Sequence, residues 1–195
     1  MEFELSESQK NIIATFRAFG EEVFTSDHVF QWRRDQGLPD EVVKGFVDRY
    51  FALDKVQSDG RRGLDIMGQT LILEELSRCA GAALPFQNDL FNLQILSGFA
   101  DEGVVSEVLE NYRNTGRLMF SLAVSEPNAG SDTMSMSTSV ETRDGKIILN
   151  GKKTYVNNGE YSPSILVAAI DKDNVGNDKY PPLSFWLIPH NLPGI

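Results

Sequence analysis

Apolar side chains recur every three or four positions through Ile12, Phe16, Phe19 and Val23, which lines them along one face of a helix predicted from about residue 6 to 24. Ser6 and Gln9 stand at its start in capping-box spacing, each side chain placed to satisfy a backbone N–H that a helix start leaves without a partner. The same period predicts a second helix from Pro39, at the first helical position, through Val42, Val43, Phe46, Val47 and Tyr50, ending before an Asp59–Gly63 loop. A third carries Ile66, Leu71, Leu73 and Leu76 and stops near Gly81. After Pro85, the run Leu90, Leu93, Ile95 and Leu96 predicts a fourth, largely buried helix; Asp101 stands as the cap of a fifth bearing Val104, Val105, Val108, Leu109 and Tyr112.

Beyond Asn114-Thr-Gly116 the period changes from that of a helix to that of a strand. Leu118-Met-Phe, the alternation Met134, Met136, Thr138 and Val140, and Ile147-Ile-Leu read as strands, and Ile165–Ile170 and Leu183–Ile188 follow. Asp144-Gly145 and Asn150-Gly151 carry the residue types that tolerate positive φ and so read as hairpin turns. The fold class expected is α+β: an all-helical domain over residues 1–115, then an incomplete antiparallel β domain over 116–195.

Candidate chemistry concentrates where the first strand leaves the sheet, in Leu122-Ala-Val-Ser-Glu-Pro-Asn-Ala-Gly-Ser-Asp132. Leu122 and Val124 fall on one face of a strand, Ser125 closes it with a hydroxyl, and Glu126-Pro127 forces a turn because the residue before proline is held extended. Gly130 permits close backbone approach and Ser131 adds a donor beside backbone N–H groups, an arrangement that receives phosphate or another anion.

Ser125-Glu-Pro-Asn-Ala-Gly-Ser-Asp132 resembles the T-E-P-x-A-G-S-D flavin-loop signature of acyl-CoA dehydrogenases, with Ser in place of Thr at the first position. Downstream, Lys153-Thr-Tyr-Val-Asn-Asn-Gly159 resembles the K-x-W-I-T-N-G segment of the same family, and the helical half, with Glu74-Glu-Leu-Ser-Arg78, is similar to its N-terminal domain. The resemblance implies FAD as cofactor, with Leu122, Val124 and Ser125 along the flavin, and Gly130 and Ser131 toward its pyrophosphate or the CoA end of an acyl-CoA substrate. A reduced flavin gathers negative charge at its N1/O2 edge, so a donor such as Ser125 favours that state. Tyr155 and Asn157, two apart in a supposed strand, would present an aromatic wall and an amide to the same ligand, in place of the family's Trp and Thr.

The resemblance further implies α,β-dehydrogenation of an acyl-CoA thioester, or the reverse enoyl-CoA reduction. It implies electron-transfer flavoprotein as acceptor and a homo-oligomer. The family's catalytic glutamate comes from a C-terminal domain beyond Ile195, so no catalytic residue is assigned in this chain, and the fragment alone is expected to be inactive. Two alternatives stand beside this: a non-catalytic helical and β module that binds a partner through an open sheet edge, and an acyl-CoA oxidase or flavin monooxygenase of the same fold.

Composition narrows the field. At 195 residues, 41% hydrophobic and 24% charged, the chain has the make-up of an ordinary globular protein. A net charge of -10 without a basic cluster argues against nucleic acid. One cysteine, Cys79, allows no intrachain disulfide, and with no signal peptide or apolar run of membrane length the expected location is cytoplasmic. His28 and His190 have no ligand-spaced neighbour, so no metal is expected. Asp171-Lys-Asp-Asn-Val-Gly176 imitates the opening of a calcium loop but has Pro182 where a bidentate Glu is required, and Gly145–Gly151 lacks phosphate-loop spacing. Glu126 and Asp132 are expected to bond loop backbone, not to act as bases.

Overall fold

The computed structural model describes residues 4–35, 37–53, 65–117, 120–160, 162–177 and 180–195. It divides into two units, Met1–Arg117 and Leu118–Ile195.

The first unit is helical: α1 (Glu7–Val23), α2 (Ser26–Asp35), α3 (Asp40–Ala52), α4 (Ile66–Ala80), α5 (Phe86–Phe99) and α6 (Glu102–Thr115). Ser6 and Gln9 close the predicted capping box on α1, and Gly81 ends α4 in the left-handed conformation that a glycine adopts without cost. Pro39 sits at the cap position of α3, one residue earlier than expected, and Asp101 holds the cap position of α6 without a side-chain hydrogen bond to it. The sequence reading misses α2. None of its residues is buried, so no apolar stripe marks it; Trp32 instead lays an edge on Phe24 with ring centroids 5.8 Å apart. The Asp59–Gly63 loop lies outside the described residues.

Phe16, Phe46 and Phe86 form the centre of this unit, with Phe46 and Phe86 stacked at 4.0 Å between centroids. On the α1–α4 seam, Arg17 donates to both oxygens of Glu75 at 3.0 and 2.7 Å, and Arg78 adds a third bond at 3.1 Å. The Arg17 guanidinium, with Arg78 behind it, holds the Glu75 carboxyl below its usual range against the opposing effect of burial.

The second unit is a sheet built on β4 (Ser164–Asp171), paired along one edge with β5 (Leu183–Pro189) in antiparallel register. The other edge of β4 takes two strands end to end, both parallel to it: β1 (Ser121–Ala123) opposite Ile165–Val167, and β2 (Ser139–Arg143) opposite Ile170 and Asp171. β3 (Lys146–Asn150) completes a hairpin with β2. The α+β class holds, while the sheet is mixed, not purely antiparallel, because β1 and β2 lie in succession along one neighbour. Between them residues 124–138 leave the sheet over Ala168 and Ala169, and Ala129 and Met136 pack down on Ala168.

Asp144 and Gly145 make the predicted turn with φ of 52° and 72°. Two strand expectations fail. The alternation through Met134 and Met136 is a short 3-10 turn, Thr133–Ser135, followed by a methionine buried beneath the loop. Asn150-Gly151 is no hairpin: the glycine serves a close approach, since a Cβ there would lie 2.6 Å from Thr138 Cα. Leu118 and Met119 lie outside the described residues.

Among the described glycines of the helical unit the tightest approach is Gly20 of α1 against Cys79 of α4, where an added Cβ would sit 2.7 Å from Cys79 Sγ and 2.9 Å from its Cβ. Gly20→Ala should therefore destabilise by about 1–3 kcal/mol through overpacking, in spite of alanine's better helix propensity. In urea denaturation the loss should shrink in the Gly20→Ala/Cys79→Ala double variant; full additivity would contradict the packing argument.

Candidate functional site

The excursion between β1 and β2 is held by a carboxylate at its root. Glu126 is only 6% exposed. Its oxygens accept from Ser137 N and Oγ at 2.7 Å each, from Thr138 N at 2.9 Å and from Lys153 Nζ at 2.9 Å. One end of the loop is thus tied to the other, and both to the segment after β3. Burial alone would push this carboxyl up; the hydrogen bonds from Thr138, Ser137 and Lys153 outweigh it and hold the group far below the usual carboxylate range. Lys153 has a side chain 9% exposed and also donates to Val124 O at 2.9 Å.

The backbone continues the pattern. Thr154 N donates to Ser125 O at 2.8 Å, and Glu126 and Ala129 exchange N–H and C=O bonds at 2.9 and 3.2 Å across the Pro127-Asn128 turn. Three successive carbonyls, of Val124, Ser125 and Glu126, are therefore each taken by a donor within the unit. The donors of the loop are not: among the described residues, the Ser125 hydroxyl and N–H and the N–H groups of Gly130 and Ser131 make no hydrogen bond within the protein. At residues 124–126 the carbonyls are taken while the Ser125 hydroxyl and N–H are left available, which suits a ligand edge rich in negative charge.

The structure brings the two sequence motifs together through Lys153, Thr154 and Ser125. Ser125 is half-buried, Gly130 and Ser131 are exposed, and Leu122 is half-buried in β1. Val124 packs toward the Ala129, Met136 and Ala168 cluster. Tyr155 and Asn157 do not share a strand face, because the segment after Gly151 forms no strand: Tyr155 takes φ of 56° and Asn157 lies in a turn. Tyr155 is 92% exposed, an aromatic in a backbone region that L-residues seldom adopt. Glu126 bonds loop backbone as expected, whereas Asp132 is exposed and lends the loop its carbonyl, which accepts from Ser135 N and Oγ at 3.3 and 2.9 Å. Asp171 begins a surface turn in which its carboxylate accepts from Asp173 N and Asn174 Nδ2. Among the described residues no group of acidic, Cys or His side chains could hold a metal ion.

Lys153 has no assigned role in the sequence reading. Its sequence signal was its place at the head of the Lys153–Gly159 motif; the Glu126 it pairs with lies 27 positions earlier, in the other motif.

The depressed Glu126 carboxyl makes a pH prediction. A group whose folded pKa lies below its unfolded value contributes stability that is complete above the unfolded value, here near 4.5, and is lost as pH falls from there through the folded one. Glu126→Gln should remove that acid-side component and, by leaving Lys153 buried without its counter-charge, cost about 3–5 kcal/mol near neutral pH. Urea titrations of both proteins across pH check this; parallel pH profiles would contradict it.

Family models place both units. Residues 6–114 match the acyl-CoA dehydrogenase N-terminal domain and residues 121–195 match the acyl-CoA dehydrogenase middle domain. Among curated proteins, the chain is 26% identical over 196 aligned residues to the probable acyl-CoA dehydrogenase YdiO of Escherichia coli (strain K12), covering all of this chain and 50% of that protein. Among solved structures it is similar to an acyl-CoA dehydrogenase from Slackia heliotrinireducens DSM 20476, at 43% identity and a TM-score of 0.79, covering 100% of this chain and 49% of that one. It is also similar to the FAD complex of PigA, at 26% identity and a TM-score of 0.76, covering 100% and 51%. The chain spans about half the length of the relatives it matches. With both units matched in order and the flavin-loop signature standing on the excursion between β1 and β2, the chain belongs to the acyl-CoA dehydrogenase family.

Proposed function

We propose that this chain supplies the flavin-binding face of an FAD-dependent acyl-CoA dehydrogenase, which removes hydrogens from the α and β carbons of an acyl-CoA thioester or runs the reverse enoyl-CoA reduction. The observation that carries this reading is the polarity of the loop: the carbonyls of residues 124–126 are engaged within the unit while the Ser125 hydroxyl and the Gly130 and Ser131 N–H groups are not. FAD, when bound, would supply a two-electron acceptor for the β-hydride. The chain's own residues would do the rest of what is assigned here. Ser125 donates to the flavin edge that gains charge, Gly130 and Ser131 receive a pyrophosphate or the CoA end, and Tyr155 offers an apolar wall.

Glu126 is not the proton-abstracting base. Its lone pairs are filled by four donors and its carboxyl is held far below the range in which it would take a proton. In this reading electron-transfer flavoprotein is the acceptor and the working form is a homo-oligomer. No described helix is long and apolar enough to cross a membrane.

The test is to purify the full-length gene product, with residues 1–195 alone, expected to be inactive, as the comparison, titrate it with FAD, and follow dye reduction across a panel of acyl-CoA esters. Flavin uptake with acyl-CoA-dependent dye reduction is expected; failure to take up FAD overturns the reading, and oxygen uptake in place of dye reduction moves it to an oxidase. Within that assay, Ser125→Ala should weaken oxidised FAD about 2- to 10-fold, the worth of a neutral hydrogen bond, and the reduced flavin about 10- to 100-fold, since a hydrogen bond to a charged group is worth about 1.5–3 kcal/mol. Unchanged affinity would remove Ser125 from the site.

A further inference from the structure

We propose that Lys153 is a positioning residue for the flavin loop: its buried ammonium, with the Thr154 amide beside it, keeps the Val124 and Ser125 carbonyls at the root of the loop turned inward, away from the ligand that the Ser125 hydroxyl meets. The inference rests on the flavin reading for its ligand, but its geometry stands without it. Lys153 Nζ reaches Val124 O and Glu126 Oε1, both at 2.9 Å. Its backbone neighbour Thr154 takes Ser125 O at 2.8 Å. One dipeptide thus claims the acceptors of two consecutive residues in the other motif.

A buried ion pair is a costly way to fill space, and apolar side chains of similar volume often stabilise as well or better. Its use here is directional. With its charge 9% exposed and matched to a carboxylate 3% exposed, Lys153 cannot shift without leaving Glu126 unpaired. Glu126 in turn cannot shift without releasing Ser137 and Thr138 at the far end of the loop. Were Val124 O or Ser125 O to rotate outward, each would set a lone pair against a flavin edge that becomes more negative on reduction, opposing the donation from Ser125. Lys153 therefore favours the reduced cofactor without touching it.

Two readouts test this on the gene product. In the FAD-free protein, hydrogen exchange of the Thr154 amide should quicken about 100- to 1,000-fold in Lys153→Met, toward the lower end of the factor that corresponds to breaking a buried pair. The β4–β5 amides should change far less. Lys153→Arg keeps the charge, but its longer, planar head cannot serve both oxygens, so an intermediate rise of about 10-fold is expected. In the FAD-loaded protein, both variants should lower the affinity for reduced relative to oxidised flavin; about 10-fold for Lys153→Met is about 30 mV for a two-electron couple. Val140→Ala, a core truncation in β2, controls for general loss of stability and should leave the potential unchanged.

Wild-type exchange at Thr154 in either Lys153 variant, or a potential shift no larger than that of Val140→Ala, overturns the proposal. Should Lys153→Met not fold, Lys153→Arg decides alone by the same two criteria. If the wild-type protein takes up no FAD, the flavin reading fails, and the exchange readout still judges the clamp.

Discussion

A carboxylate taken out of water must be surrounded by donors, and most of what is distinctive in the β unit follows from how Glu126 meets that demand. Its donors come from both ends of the excursion and from the segment after β3. A covalent neighbour could not have provided them, so the chain must fold back on itself to do so. The loop then has one arrangement in which every buried charge is matched, and the alternatives carry the cost of an unpaired ion.

The sheet makes room for that arrangement. Because β1 and β2 run in the same direction along one edge of β4, the excursion leaves and rejoins the sheet within a few residues of β4, over two alanines. Side chains larger than Ala168 would collide with Ala129 and Met136, which pack on it. Gly151 gives a second close approach, beside Thr138, where the loop returns to β2. Small residues at these points and charged residues at the root fix the loop while the Ser125 hydroxyl and the N–H groups of Gly130 and Ser131 keep no protein partner among the described residues.

The helices with buried apolar stripes were legible because their period is local, and α2 was not because it buries nothing. The loop over residues 125–132 was legible as a string of residue types that resembles the family's signature. What the sequence could not show was its support. The alternation through Met134 and Met136 has the period of a strand, yet Met136 is consumed by packing under the loop. Asn150-Gly151 has the composition of a turn, yet its glycine answers a contact with Thr138. Tyr155 and Asn157 are two apart, yet a positive φ at Tyr155 breaks the extended backbone that the spacing argument assumed. At Met136 and Gly151 a long-range contact decides what the local pattern left open, and Lys153, whose partners lie 27 and 29 residues away, is the clearest case.

In the proposed function this loop presents donors to a flavin while the Val124 and Ser125 carbonyls are held inward. The most direct measurement is a crystal structure of the gene product with FAD bound. Ser125 Oγ or N is expected within hydrogen-bond distance of the flavin ring, about 2.7–3.2 Å, with Val124 O still on Lys153 and Ser125 O still on Thr154. A flavin seated away from Ser125, or either carbonyl turned out toward the ring, would contradict it.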